Sequence, residues 1–106
     1  MTWQTLAGVS DIPPGKIGVF DVGEARIALC NVDGQFYAID DVCTHDGGAL
    51  GQGELEGCEI ECPRHGARFD VRTGRVTCLP ASSPVGTYPV RLEGDTVQVD
   101  VGEEDR

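Results

Sequence analysis

The chain has 106 residues, enough for one domain with a modest core but not for a large substrate cavity beside it. Its formal net charge of −10 argues against nucleic acid and anionic membrane surfaces as partners, because phosphate binding needs a positive patch. Fifteen glycines and 40% hydrophobic residues suit short strands joined by many turns, and no apolar run reaches the length of a membrane span.

Met1-Thr2-Trp3-Gln4-Thr5 lacks a basic segment followed by an apolar stretch, so no secretory signal is read and the cytoplasm is the expected location. Strands are expected near 2–6, 17–22, 25–32 and 35–39. Pro13-Pro14-Gly15 reads as a rigid turn, and Gly23-Glu24 turns the second strand into the third. Asp33-Gly34 is a hairpin signal, because both residues tolerate the positive φ of a type I′ turn. Cys30 lies in the apolar stretch Ile27-Ala28-Leu29-Cys30 and reads as a small buried hydrophobe. Residues 41–84 are broken by Gly47, Gly48, Gly51, Gly53, Gly57, Gly66 and Gly74, and little apolar surface is apparent there to fold the segment alone. After it, Tyr88, Val90 and Leu92 alternate with Thr87, Pro89 and Arg91. Val97, Val99 and Val101 alternate with Thr96, Gln98 and Asp100, and Glu93-Gly94-Asp95 joins the two runs. Pro89 lacks a donor and is expected at an edge or bulge. The residues 102–106 read as a frayed, solvated tail. No segment carries a helical stripe over three turns, so the expected class is an all-β antiparallel sandwich or barrel, a single domain over 1–106.

The chemistry is concentrated in two short arms, Cys43-Thr44-His45 and Cys62-Pro63-Arg64-His65, separated by 16 residues. Each offers one thiolate and one imidazole, and these are the only two histidines in the chain. Two Cys and two His can hold zinc, but zinc fingers of that kind pair like with like, two Cys on one knuckle and two His on a helix. Mixed arms suit a [2Fe–2S] cluster in which the cysteines bind one iron and the histidines the other. With both histidines in the arms, no Ser/His/Asp set, phosphate loop or dinucleotide fingerprint is left to suggest catalysis.

The strings Cys43-Thr44-His45-Asp46-Gly47-Gly48 and Cys62-Pro63-Arg64-His65-Gly66-Ala67 match the two cluster loops of the Rieske pattern. Over nearly the whole chain the sequence resembles the small Rieske-type ferredoxins of bacterial multicomponent oxygenases. The resemblance implies a Rieske [2Fe–2S] cofactor held by Cys43, His45, Cys62 and His65. It also implies a cluster-binding subdomain at about 41–84, inserted into a basal β part at about 1–40 and 85–106. Folding of the insert is expected to depend on the cluster. The function implied is that of a one-electron carrier, itself not an enzyme, between a ferredoxin reductase and a terminal oxygenase acting on an aromatic or similar substrate. A monomer suits a carrier that presents its tip to two partners in turn. The alternatives are the Rieske-like small subunit of a nitrite reductase, a stand-alone Rieske protein linked to iron–sulfur assembly, and a zinc-stabilised binding module.

Within the Rieske range of about −150 to +300 mV, the resemblance points to the low end. High-potential members carry an extra Cys in each loop, forming a disulfide, where this chain has Gly48 and Arg64. They also carry a Ser and a Tyr, which donate to cluster sulfurs, where this chain has Ala67 and Phe69. Gly47, Gly48 and Gly66 are read either as ordinary turn glycines or as sites where backbone amides approach the cluster closely. Pro63 stiffens the second arm. Pro80-Ala81-Ser82-Ser83-Pro84 is either a third loop shielding the cluster or a plain connector. Arg64 is either a surface charge paired with Glu59 or Glu61 or part of a docking face. Cys58 and Cys78 are read as free structural thiols in a reducing compartment in preference to a disulfide. The acidity serves solubility, steering toward basic partners, or both. Metal-bound imidazole is more acidic than free imidazole. The midpoint potential is therefore expected to fall as pH rises past the histidine pKa of the oxidised state, and a potentiometric titration flat into strongly alkaline solution would contradict imidazole ligation.

Overall fold

In a computed structural model, which describes residues 3–44, 48–63, 66–79 and 83–102, every element except two short 3₁₀ turns is a strand. Local chemistry sets the turns. At Pro13–Lys16 the Lys16 N–H donates to the Pro13 carbonyl at 3.0 Å, and Gly15 sits at φ +84°. This is a type II turn with Pro14 at its second position. Asp33 and Gly34 take φ +52° and +94°, the type I′ geometry expected of this pair.

The first sheet has the order β1 (Trp3–Gly8), β11 (Thr96–Asp100), β10 (Val90–Glu93). The second has the order β2 (Ile17–Val22), β3 (Ala25–Val32), β4 (Gln35–Asp40), β9 (Thr87–Tyr88). The third is built from the segment that looked short of apolar surface: β5 (Glu54–Glu56), β6 (Glu59–Glu61), β7 (Arg68–Asp70) and β8 (Val76–Cys78), paired in that order. All pairings are antiparallel.

Pro89 falls where the chain leaves the second sheet and enters the first: Tyr88 pairs with Ala38, while Val90 pairs with Val99. A residue without an N–H fits a crossing point that asks for no ladder donor. Its carbonyl still accepts from the Asp100 N–H at 3.0 Å.

The second sheet is the middle layer. One face sends Ile27, Leu29, Phe36 and Ala38 against Val97, Val99 and Val101 of the first sheet and its extension. The other sends Ala28, Cys30 and Ile39 against Leu50, Ile60, Ala67, Phe69 and Val71. Strand β3 is therefore buried on both faces, and its apolar run carries no in–out alternation. The segment 41–84 has a core after all, with Ile60 and Phe69 fully buried, because half of it is supplied by β3 and β4. Leu92, whose place in the alternation reads as inward-facing, is instead 54% exposed, on an edge strand two residues before the Gly94-Asp95 turn. Among the described residues no helix is long and apolar enough to cross a membrane.

Asn31 ties the base together. Its Nδ2 donates to the Ile12 carbonyl and its Oδ1 accepts from the Gly34 N–H, both at 2.7 Å, with the residue 3% exposed. Replacing Asn31 by Leu leaves two groups without partners, and each orphaned group costs about 1–3 kcal/mol. Asn31→Leu is thus expected to lower the urea midpoint clearly, whereas a midpoint equal to wild type would show that solvent satisfies both groups.

Candidate metal centre

Two loops of the same design carry the cysteines. In the first, the Cys43 N–H donates to the Gly48 carbonyl at 2.7 Å. In the second, the Cys62 N–H donates to the Ala67 carbonyl, also at 2.7 Å. Each bond closes a six-residue loop with the cysteine at its base. Gly66 further closes the second loop, its N–H donating to the Cys62 carbonyl at 3.1 Å, and it takes φ +79° as a turn glycine can. Cys43 and Cys62 are each 1% exposed and belong to one buried cluster. Ala67 and Phe69, both fully buried, lie in the same cluster and bring no hydroxyl into it.

His45 and His65 lie outside the described residues, as do Asp46, Gly47 and Arg64. Among the described residues no group of three or more His, Cys, Asp or Glu converges on one point. What the structure brings together is the thiol half of the expected set. Two soft donors at the bases of two loops, facing one dry core, fit an iron–sulfur group: thiolates are its ligands, and a low-dielectric shell shields it from water.

The loops are tied to their surroundings at several points. Asp41, two residues before Cys43, has a side chain that is 0% exposed. Its Oδ2 accepts from Arg26 Nε at 2.9 Å, and its Oδ1 accepts from the Gly51 N–H, in the 3₁₀ turn Leu50–Gln52 just beyond the first loop. Asp40 works on the opposite side, where its carboxylate accepts from the Tyr88 hydroxyl and its N–H donates to the Gly86 carbonyl. Thr44 Oγ1 donates to the Ser83 carbonyl at 2.6 Å, which binds the first arm to the end of the 80–84 segment. Pro80, Ala81 and Ser82 of that segment are outside the described residues.

Arg68 is the ionic group that the sequence did not single out. Its Nη1 donates to Glu56 at 2.8 Å and to Glu59 at 3.1 Å, and its Nη2 to Glu61 at 3.4 Å. Its hydrogen bonds to Glu56, then to Glu59, push its already high pKa further up, so it stays charged. Glu59 and Glu61, considered as partners of Arg64, are thus engaged by Arg68. The register pairing Glu61 with Arg68 was the missing signal. Of the remaining thiols, Cys30 is fully buried, and burial followed by the charge of Asp41 pushes it up to about 12. Cys58 is half-buried and Cys78 exposed, and Cys30, Cys58 and Cys78 form no disulfide among the described residues.

With this geometry in place, comparison with known proteins places the chain. The family model of the Rieske [2Fe-2S] domain matches residues 2–89. The ferredoxin component of the naphthalene 1,2-dioxygenase system of Pseudomonas aeruginosa is 42% identical over 99 residues, covering 93% of this chain and 95% of the relative. The ferredoxin of carbazole 1,9a-dioxygenase from Nocardioides aromaticivorans IC177 superposes with a TM-score of 0.90 at 36% identity, covering 93% of this chain and 97% of that one. A chain in the complex of reduced oxygenase and oxidized ferredoxin in carbazole 1,9a-dioxygenase superposes with a TM-score of 0.87 at 40% identity, over 92% of this chain and 91% of that one. The chain belongs to the Rieske [2Fe–2S] domain family.

Gly53, just after the 3₁₀ turn that follows the first loop, packs against the lead-in to the second arm. A Cβ there would overlap the Glu61 carbonyl oxygen, one residue before Cys62, and would sit 3.2 Å from Pro63 Cδ. Gly53→Ala must therefore push the lead-out of the first loop away from the second, at a cost of about 1–3 kcal/mol. The expected result is a lower unfolding midpoint together with faster bleaching of the visible chromophore under a chelator; wild-type bleaching kinetics would show that the arms are not held through this contact.

Proposed function

We propose that the protein is a one-electron carrier that passes electrons to the terminal oxygenase of a ring-hydroxylating dioxygenase system. The observation that carries this reading is the pair of equivalent loops closing on buried Cys43 and Cys62 in a chain of the Rieske family. Cys43, His45, Cys62 and His65 hold the cluster, one Cys and one His from each arm. When bound, a Rieske [2Fe–2S] cluster supplies a site that stores one electron at a potential raised by its two imidazole ligands.

The chain's own residues do the rest. Cys43 and Cys62 present thiolates from loop bases fixed by backbone hydrogen bonds. Ala67 and Phe69 keep water and hydroxyl donors away, which leaves the reduced state less favoured and supports a potential at the low end of the Rieske range. Residues 41–84 act as the cluster-binding subdomain, and the first two sheets act as its base. A protein reductase is the electron donor, and the carrier works as a monomer in the cytoplasm. The relatives are named as ferredoxin components, which supports a carrier that performs no bond chemistry.

Anaerobically purified protein is expected to be red-brown, to contain two irons and two acid-labile sulfides, and to give a rhombic EPR signal when reduced, with an average g below that of four-Cys clusters. Removing the iron is expected to loosen 41–84, seen as faster amide exchange there than in β3. A colourless protein with stoichiometric zinc and no sulfide would end the redox reading.

A further inference from the structure

The third sheet has one apolar face and one charged face. Leu55, Ile60 and Phe69 pair across it toward the core. Neighbouring positions point to the other face. There Glu54 lies opposite Glu61, Glu56 opposite Glu59, Glu59 opposite Asp70 and Glu61 opposite Arg68. Like charges directly across a ladder repel. Arg68 relieves this by reaching three of the carboxylates at once.

The wall leads straight into the second arm. Glu61 precedes Cys62, and a shallow cleft of about 390 Å³ is lined by Glu54, Glu61, Cys62 and Gly66 together. Glu61 Oε2 would stand 3.5 Å from a Cβ at Gly66, so its carboxylate leans over the loop.

We propose that Arg68 sets the field beside the second arm: by pairing with Glu61, which precedes Cys62, and with Glu56 and Glu59 farther along the same face, it keeps the reduction potential above the value the same carboxylates would impose unopposed. This rests on the reading that the second arm holds the cluster. Reduction adds one negative charge, which nearby carboxylates disfavour and a guanidinium favours. The side chain of Arg68 is 29% exposed and those of its partners more so, and the effect therefore falls as salt screens it.

The test compares reduction potentials of wild type, Arg68→Met and Arg68→Met/Glu61→Gln, each with iron and sulfide measured. At about 10 mM salt Arg68→Met is expected to shift the potential downward, and at about 1 M salt by less than half as much. Adding Glu61→Gln should bring the potential back toward wild type, which a loosened fold would not do. An unmoved potential in loaded Arg68→Met, or the same shift at both salt concentrations, overturns the proposal. If Arg68→Met fails to retain its cluster, Glu61→Gln alone should shift the potential upward with the same salt dependence, and no shift there overturns it equally. Wild-type protein lacking iron and sulfide would sink the cluster reading itself, an outcome distinct from a loaded protein whose potential ignores Arg68.

Discussion

A six-residue loop closed by one backbone hydrogen bond at its cysteine, made twice, is the constraint on which the site depends. The donor is the cysteine's own N–H in both loops, with Gly48 and Ala67 as acceptors. Fixing the backbone at the cysteine fixes where Cβ points, and both side chains enter the same apolar cluster. Because the closure uses main-chain atoms alone, the hydrogen bond itself does not depend on which side chains lie between.

The loops would not face each other without the middle sheet. Strand β3 gives Ile27 and Leu29 to one core and Ala28 and Cys30 to the other, so the base and the metal region share a wall. At the end of β4, Asp40 and Asp41 point to opposite faces, as successive strand residues must. One holds Tyr88 and the returning chain; the other holds Gly51 and Arg26. Burying the Asp41 carboxylate is costly, and the Arg26 guanidinium and the Gly51 amide offset that cost through charge-assisted hydrogen bonds. The first loop is thereby bracketed twice, by Cys43 with Gly48 and by Asp41 with Gly51.

Charge acts on two length scales. The net charge of −10 acts over distance, its field fading beyond a Debye length of about 10 Å at 0.1 M salt. On the outer face of the third sheet the charges are local, with Glu56, Glu59 and Glu61 meeting the guanidinium of Arg68.

The sequence by itself determined the turns, most strands, the family motif and the candidate ligands. Those signals are local: Asp33-Gly34 and Pro14-Gly15 dictate their own φ, and alternation at Val97, Val99 and Val101 reports a half-buried strand. The third sheet escaped notice because strands of three residues are too short to show a period, and half of their core belongs to β3 and β4. Leu92 was misread because alternation tells which side a residue faces but not whether anything covers that side. Only tertiary structure decided that Cys43 and Cys62 share one cluster, that Asp41 rather than a glycine alone secures the first loop, and that Arg68 sits among three glutamates. Each of these depends on residues brought together by register and packing, and register is settled by which faces can be buried at once rather than by any stretch read alone.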